Sequence, residues 1–371
     1  PSNSSAASDV YKRQILYDTI KSSIVPKGGN MKFITTLLIT LLLIIGANNM
    51  AKAKNNDWDK VFHKSDKVNV EKVHFKNRFG ITLTGDLYTP KNIKKGEKYS
   101  AIAISGPFGA VKEQASGLYA QTLAERGFIT LAFDPSYTGE SSGQPRNIAS
   151  PDINTEDFSA AVDFLSNQQN VNPDKIGILG ICGFGGFALN AASIDTRIKA
   201  TVTSTMYDMT RVSAKGYNDV MDENARYNLK QTLNKQRTED FKNGTYAKAS
   251  GLPEKLTGEE PQFIKDYFNY YKTKQGFHAR SINSNGNWNM TSSLSLINLP
   301  ILAYSDEIKS AVLIIHGENA HSRYFSEDAF KNLKGDNKEL LIIKNANHTD
   351  LYYNNDLIPF EKIENFYKKY L

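Results

Sequence analysis

The stretch KIGILGICGFGGFALNA, residues 175–191, decides the fold of this chain. A short apolar run ends at a glycine-rich turn, and a segment of helical character follows. This order predicts a buried strand, a tight turn and a helix. The turn contains Cys182, the only cysteine among 371 residues. A sharp strand-to-helix turn pushes one side chain out at the end of a sheet, where it can act as a nucleophile.

The register of that turn leaves two interpretations open. A side chain presented in this way needs small residues two positions before and two positions after it. Counted from Cys182, the earlier position is Gly180, but the later one is Phe184. Counted from position 184, Cys182 and Gly186 satisfy the spacing, but phenylalanine has no nucleophilic atom. Cys182 is therefore either the nucleophile, with one extra residue in the turn and Phe184 at the substrate, or a buried filler behind a Phe184 that blocks the site.

Short apolar segments alternate with helical ones on both sides of this turn. Two strand-like segments come first and are joined by a tight turn, which predicts a hairpin. Further strands are predicted at 101–105, 129–133, 175–179, 200–205, 311–316 and 340–343, and helices at 115–126, 155–166, 186–193, 326–333 and 359–371. This alternation predicts a parallel sheet that is covered by helices on both faces.

The alternation stops for about a hundred residues after Met206. Residues 207–306 have polar helical character, and we expect them to form a cap between two parts of one core, 54–206 and 307–371. Aromatic residues cluster in this insert, either as its own packing or as a lining that faces a substrate. They are Tyr267, Phe268, Tyr270, Tyr271 and Phe277.

Several motifs together resemble one enzyme superfamily. They are GICGFGG at 180–186, FDP at 133–135 with GESSG at 139–143, HGE at 316–318 and NHTD at 347–350. Residues 68–371 resemble the α/β-hydrolases, in particular dienelactone-hydrolase-like proteins, whose nucleophile is a cysteine. The resemblance implies an α/β-hydrolase fold with a helical cap after strand six, and cleavage of an ester or related acyl bond in a small molecule.

The resemblance also implies which residues assist Cys182. The base is His348, in the loop after the last strand, where an imidazole takes the thiol proton and later protonates the leaving group. The orienting acid usually follows the preceding strand, but position 320 is alanine. Glu318 is the nearest carboxylate, and Asp208, which follows the strand before that, is the alternative.

Backbone N–H groups would stabilise the oxyanion that forms during acyl transfer. Gly183 supplies one donor as the residue after the nucleophile, and Phe108 is the candidate for the second; the alternative is that the Gly-Pro pair before Phe108 only shapes a turn. The dipole of the following helix predicts a lowered pKa for the Cys182 thiol. Lys112 and Arg146 lie in neighbouring loops and either meet a substrate carboxylate or are solvated.

The sequence gives weaker indications of cofactor-dependent, metal-dependent and non-catalytic functions. No cofactor fingerprint or metal-ligand spacing is present, so we expect no cofactor and no metal. Phenylalanine at position 184 and alanine at position 320 keep open a catalytically inactive binding protein on the same fold. An acyltransferase or a peptidase would use the same site residues as a hydrolase.

The N-terminal residues predict export. Residues 1–30 precede Met31 and are interpreted as a translation artefact. Residues 31–53 read as a signal peptide, with a basic start, an apolar run and a small-x-small cleavage site; the alternative is a retained anchor. Residues 1–53 hold six Lys/Arg and two Asp, so they account for +4 of the net charge of +6. We therefore expect a periplasmic or extracellular protein that binds no nucleic acid and leaves the membrane after cleavage.

Overall fold

The strands form one eight-stranded sheet in the computed structural model, which describes residues 58–371. They are β1 (Val68–Lys76), β2 (Thr82–Pro90), β3 (Tyr99–Ser105), β4 (Ile129–Phe133), β5 (Val171–Ile181), β6 (Ile198–Ser204), β7 (Ala311–Gly317) and β8 (Lys338–Ile343). Their order across the sheet is β1-β2-β4-β3-β5-β6-β7-β8. The β1–β2 and β2–β4 pairs are antiparallel, and the remaining pairs are parallel. The predicted hairpin and mostly parallel sheet are confirmed.

The α-helices fill the connections between the strands. They are α1 (Ala115–Ala124), α2 (Pro151–Ser166), α3 (Gly183–Ile194), α4 (Met209–Lys215), α5 (Glu223–Asn243), α6 (Gln262–Tyr271), α7 (Ile282–Asn285), α8 (Ser293–Asn298), α9 (Arg323–Asn332), α10 (Asp350–Tyr353) and α11 (Phe360–Tyr370). Helix α2 begins four residues earlier than predicted, because Ser150 caps its first turn and Pro151 suits the first helical position.

Helices cover both faces of the sheet, and β5 shows how. Ile176 and Ile178 belong to the core cluster that includes Phe158 of α2 and Phe187 of α3. Gly177 points the opposite way, since side chains alternate along a strand. A Cβ there would lie 2.6 Å from a ring carbon of Tyr367 in α11. A bare glycine therefore lets α11 pack directly on the second face.

The segment between β6 and β7 is helical, as the break in the sequence pattern predicts. It contains α4 to α8, and its backbone contributes only an isolated bridge between Lys248 and Asn289 outside the named strands. Residues 59–371 form one compact unit that includes this insert. The insert begins after the carboxyl end of β6, and the N–H of Tyr207 donates to the carbonyl oxygen of Cys182 just after β5. This is the edge where parallel α/β sheets bind ligands.

The described residues do not include the N-terminal segment. The interpretation of residues 1–30 as an artefact and of residues 31–53 as a signal peptide therefore lies outside them. Over residues 58–371, none of the helices combines the length and the apolar character that crossing a bilayer requires.

Candidate active site

Cys182 occupies a strained position between β5 and α3. Its backbone has φ 54° and ψ −125°, a left-handed conformation that L-residues rarely adopt and that concentrates at functional sites. Glycines make the turn possible. A Cβ on Gly180 would lie 2.1 Å from the carbonyl oxygen of Phe184, and one on Gly183 would lie 2.7 Å from the Cβ of Phe108. The chain can therefore turn sharply at Cys182 because Gly180 and Gly183 have no side chains.

The Cys182 sulfur is buried and surrounded by hydrogen-bond donors. Burial raises the pKa of the thiol, whereas the Tyr352 hydroxyl and the backbone N–H groups of Phe108 and Gly183 favour the thiolate and lower it. The net direction is upward, so the expectation of a lowered pKa is wrong: loss of hydration outweighs the helix terminus. The backbone N–H groups of Phe108 and Gly183, which are predicted to form the oxyanion hole, are among the groups that favour the thiolate.

Phe184 lies in the core and leaves the site open. Helix α3 begins at Gly183 rather than at the expected position 186, which places Phe184 in the first helical turn, facing the sheet. Its ring is 1% exposed and packs against Phe187 at 5.1 Å and Phe158 at 6.1 Å between centroids. The expectation that Phe184 contacts a substrate is therefore not supported, and neither is the alternative in which it blocks the site.

Tyr352 connects His348 to the sulfur. His348 follows β8, is buried, and has its Nε2 2.9 Å from the Tyr352 hydroxyl. The same hydroxyl interacts with the Cys182 sulfur. Burial lowers the pKa of His348 well below its usual range, and the neighbouring His321 and His316 lower it further. Cysteine and histidine are thus both neutral at rest, with a phenol between them.

Hydroxyl groups surround the other nitrogen of His348. Its Nδ1 forms a hydrogen bond with the Ser322 hydroxyl and lies 3.0 Å from the hydroxyl oxygen of Thr205. The Ser322 oxygen is also 3.0 Å from Nε2 of His316. On its far side, the Nδ1 of His316 lies 2.6 Å from the Ser326 hydroxyl oxygen. Burial lowers the pKa of His316 to about 3, so this ring is neutral too.

The two candidate acids lie elsewhere. Glu318 is exposed, and its carboxylate accepts a hydrogen bond from the backbone N–H of Asn345. Asp208 caps α4 by accepting from the N–H groups of Thr210 and Arg211. Within the described residues, no carboxylate forms a hydrogen bond with His348. Glu318 continues the strand past its end and turns outward, so it does not take the place of the acid missing at position 320.

The two basic residues expected near the site have structural partners. Lys112 is fully buried, and its ammonium pairs with Glu113, Asp134 and Glu140 at 2.6, 3.1 and 2.5 Å. Arg146 donates to the backbone carbonyls of Ser141 and Gly139. Lys112 is therefore neither solvated nor free to meet a substrate carboxylate.

A cavity of about 250 Å³ opens in front of the sulfur. Its walls combine aromatic, aliphatic and amide side chains from the core and the insert. They are Phe108, Tyr207, Met209, Val212, Leu252, Tyr267, Tyr271, Asn283, Trp288 and Tyr352. None of these described wall residues carries a charge. Tyr267 and Tyr271 thus face the cavity, whereas Tyr270 is buried beside Tyr353, so the aromatic cluster of the insert serves both of the roles considered for it.

Comparison with known proteins agrees with this architecture. The family model described as alpha/beta hydrolase fold matches residues 104–354. The chain belongs to this α/β-hydrolase family.

Several other proteins resemble the chain to different extents. Protein PA2218 of Pseudomonas aeruginosa is 57% identical over 327 residues, which cover 88% of this chain and 87% of the relative. Its crystal structure superimposes with a TM-score of 0.83 over 85% of this chain and 98% of that one. Protein YcjY of Escherichia coli is 34% identical over 73% of this chain and 88% of its own length. A protein named thiohydrolase aneE, from Aspergillus aculeatus, is 34% identical over 37% of this chain and 43% of its own length.

Sequence reasoning missed four residues around the base of this α/β-hydrolase site. Tyr352 could have been found, because it follows His348 by four positions and therefore lies on the same side of a helical turn. Ser322 and Thr205 carry no such signal, since hydroxyl residues are common after strands. His316 belongs to the HGE motif, but that motif does not show that its ring is linked to His348 through the hydroxyls of Ser322 and Thr205.

Proposed function

We propose that this protein transfers the acyl group of an ester or thioester to Cys182 and then to water. The observation that carries the proposal is the placement of the Cys182 sulfur. It lies at a strained turn, near the N–H groups of Phe108 and Gly183, and one phenol away from His348. Hydrogen-bond donors that are already placed where negative charge develops usually make the largest contribution to acyl-transfer catalysis.

The reaction would begin from neutral groups. The thiol proton passes to the Tyr352 oxygen as the Tyr352 proton passes to Nε2 of His348. The sulfur electron pair bonds to the carbonyl carbon, and the carbonyl oxygen takes the negative charge beside the N–H groups of Phe108 and Gly183. Collapse breaks the bond to the leaving group, which receives the proton back from His348. Water then attacks the thioacyl enzyme along the same path and releases the acid and the thiol.

The cavity supports an uncharged acyl group of modest size. A cavity of about 150 Å³ holds benzene, so one of about 250 Å³ accommodates an aryl or short alkyl group with a linker. Phe108 and Trp288 form a stacked pair, 4.1 Å between centroids, as one apolar wall. The cysteine nucleophile of the dienelactone-hydrolase resemblance remains part of the proposal. Since no charged side chain lines the described cavity, we propose a substrate without a negative charge. The relative named thiohydrolase makes a thioester the first alternative to test.

The insert is the proposed cap. It supplies Leu252, Tyr267, Tyr271, Asn283 and Trp288 to the cavity wall. Because these side chains cover the sulfur from the side opposite the sheet, they would select the acyl group and exclude bulk water.

Turnover and acyl-enzyme mass test the proposal together. Purified protein is mixed with aryl esters and alkyl thioesters whose acyl chains are either uncharged or carry a carboxylate. The intact mass of the protein is recorded within the first turnovers. We expect neutral substrates to be hydrolysed, with a mass increase equal to the acyl group. Cys182→Ala should lose the adduct and more than about 1,000-fold in rate while remaining folded. Full activity of this variant would rule out Cys182 as the nucleophile.

A binding protein without catalysis is the second candidate. It is favoured by one observation: no carboxylate in the described chain orients His348. If wild-type protein binds neutral aryl compounds but forms no acyl adduct with any ester or thioester, this candidate replaces the hydrolase. Transfer of the acyl group to an added alcohol or amine in preference to water would instead indicate an acyltransferase or peptidase-like reaction.

We also propose export through residues 31–53. The sequence pattern of a basic start, an apolar run and the small-x-small site at 51–53 supports it. When expressed from Met31 in a bacterial host, the protein should be recovered outside the cytoplasm with an N-terminus near Lys54. Recovery of the uncleaved chain in the cytoplasm would exclude export.

A further inference from the structure

Hydroxyl groups stand where an orienting carboxylate would normally be found. The Nδ1 of His348 contacts the Ser322 and Thr205 hydroxyls, and both of these side chains are fully buried. Buried hydroxyls are costly unless they are hydrogen-bonded, so their convergence on one nitrogen calls for an explanation.

A base at Nε2 of His348 requires one direction for these hydrogen bonds. For His348 to accept a proton at Nε2, its Nδ1 must carry hydrogen and donate to an oxygen. Ser322 then accepts from His348 and donates its own hydrogen to Nε2 of His316, 3.0 Å away. His316 consequently carries its hydrogen on Nδ1 and donates to Ser326. The Thr205 hydroxyl lies within hydrogen-bond distance of both rings, 3.0 Å from Nδ1 of His348 and 3.4 Å from Nε2 of His316.

The backbone of Thr205 adds an independent observation. Thr205 follows β6 with φ 49°, a conformation that is a genuine outlier for a β-branched residue. Its N–H donates to the carbonyl oxygen of Ile315 at 2.7 Å, which holds the strained residue beside β7. Such strain costs about 1–3 kcal/mol and persists where function requires it. The two strained residues thus lie at opposite ends of the hydrogen-bonded pair of Tyr352 and His348: Cys182 at the phenol and Thr205 at the imidazole.

We propose that Ser322 and Thr205, supported by His316, replace the carboxylate of the catalytic triad and position His348 as the base. The proposal rests on the proposed function, because it assigns to these residues the orientation of a catalytic histidine. Neutral hydroxyls fix the Nδ1–H form of His348 without adding charge. The site therefore rests as neutral cysteine and histidine, and charge separates only as the substrate is attacked.

The titratable groups packed around His348 determine how the charge of its ring depends on pH. The titratable groups that face it from the packed elements are aromatic or sulfur-bearing, and none is a carboxylate within the described residues. They are Cys182, Tyr207, Tyr267, His316, His321 and Tyr352. A carboxylate introduced at position 322 would therefore be the first negative charge beside the imidazole.

We call Ser322, Thr205 and His316 around His348 the hydroxyl relay. The rate at which the Cys182 thiol is alkylated tests this relay without any knowledge of the substrate. Cys182 is the only cysteine, so iodoacetamide labelling reports this sulfur alone. The rate is measured from pH 5 to 10 in wild type, Ser322→Ala, Thr205→Val, His316→Gln and Ser322→Asp. Thr203→Val is the matched control, because the Thr203 hydroxyl is equally buried on β6 but has no hydrogen-bond partner in the described chain.

Removing the hydroxyls should slow alkylation near pH 8 by about tenfold for each variant and move the profile to higher pH, since the base is less well oriented. Ser322→Asp should move the profile to lower pH, because a carboxylate stabilises the imidazolium. Wild-type profiles in folded Ser322→Ala, Thr205→Val and their double variant would overturn the proposal. If the profiles shift as expected but no ester or thioester is hydrolysed, the relay stands and the hydrolase function fails.

Nitrogen NMR of the wild-type protein provides a test that no misfolded variant can obscure. With ¹⁵N-labelled histidine, His316 and His348 should both show the Nδ1–H tautomer near pH 7.5. A hydrogen on Nε2 of His348 would contradict the direction derived for the chain and overturn the proposal.

Discussion

The two sides of the candidate site are constructed from different parts of the chain. On the sulfur side, backbone geometry positions the groups: Cys182 is strained, Gly180 and Gly183 allow close approach, and the N–H groups of Phe108 and Gly183 favour the thiolate. On the histidine side, side chains do the positioning. His348 is held by hydroxyls from the loop after β6, from the loop after β7 and from α10.

This difference separates what tolerates substitution from what does not. A turn that depends on missing side chains fails when a Cβ is added at Gly180, because the nearest atoms that this Cβ would meet belong to the backbone of Phe184. A side-chain network loses one contact at a time and keeps the rest. We therefore expect substitutions on the sulfur side to break the fold locally and substitutions on the histidine side to tune the chemistry.

Gly180→Ala should have the largest effect. The added Cβ would lie 2.1 Å from the backbone oxygen of Phe184, so β5 or α3 must shift. We expect the free energy of unfolding to fall by about 3 kcal/mol, measured by urea unfolding. Gly286→Ala is the control, since its Cβ would lie at an ordinary 3.6 Å from Ile282. Equal stability of the two variants would show that the turn is not fixed by its glycines.

Tyr352→Phe should separate the two sides without unfolding either. It removes the hydroxyl between His348 and Cys182, and we expect kcat/KM to fall about 100-fold through kcat. Tyr367→Phe is the control: it also loses a buried hydroxyl, which bonds the carbonyl of Ile178 on the other face. Both variants should lose about 1 kcal/mol of stability. If Tyr352→Phe kept full activity, His348 would have to reach the sulfur directly.

Lowering the pH should reduce the free energy of unfolding through His321. Burial lowers the pKa of His321 to about 4, below its ordinary value of 6.5. Below pH 6.5 the unfolded chain binds a proton that the folded chain excludes, so stability falls as pH drops from 6.5 to about 4. Burial raises the pKa of Asp157 to about 6 and of Asp134 likewise, which opposes this loss, so a variant must isolate the histidine.

His321→Phe supplies that comparison, because the new ring can keep the stack on Phe263, now 4.4 Å between centroids. Relative to wild type, the variant should gain up to about 1.4 kcal/mol of stability per pH unit between pH 6.5 and 4. Urea unfolding at pH 7.5, 6, 5 and 4 measures the difference. A difference that stays constant across this range would mean that His321 titrates normally in the folded protein.

Glu318→Gln should have the smallest effect. The carboxylate is exposed and accepts from the N–H of Asn345, a role that the amide oxygen of glutamine can also fill. We expect kcat/KM and its pH profile to match wild type within about twofold, in line with ordinary surface substitutions. A large loss would restore Glu318 as the orienting acid and would argue against the hydroxyl relay.

The sequence was a good guide wherever chemistry follows from chain order. The strand alternation located the sheet, and the strand ends located Cys182 and His348 at one edge of it. The same logic predicted Gly183 and Phe108 as the donors of the oxyanion hole. It did not locate the partners of His348, because Ser322 and Thr205 come from loops 117 positions apart and resemble any other hydroxyl residue. It also misplaced Phe184, because the start of α3 differed by three residues, almost one helical turn.

The sequence by itself determined the elbow and the identity of its single thiol, since glycine spacing and strand periodicity are local properties that any fold of this chain must respect. Only the tertiary structure decided how ionisable that thiol is and what orients its base. Burial depends on everything packed around the sulfur, and it outweighs the helix terminus that the sequence displays. The relay around His348 depends on distances between loops, which chain order does not specify.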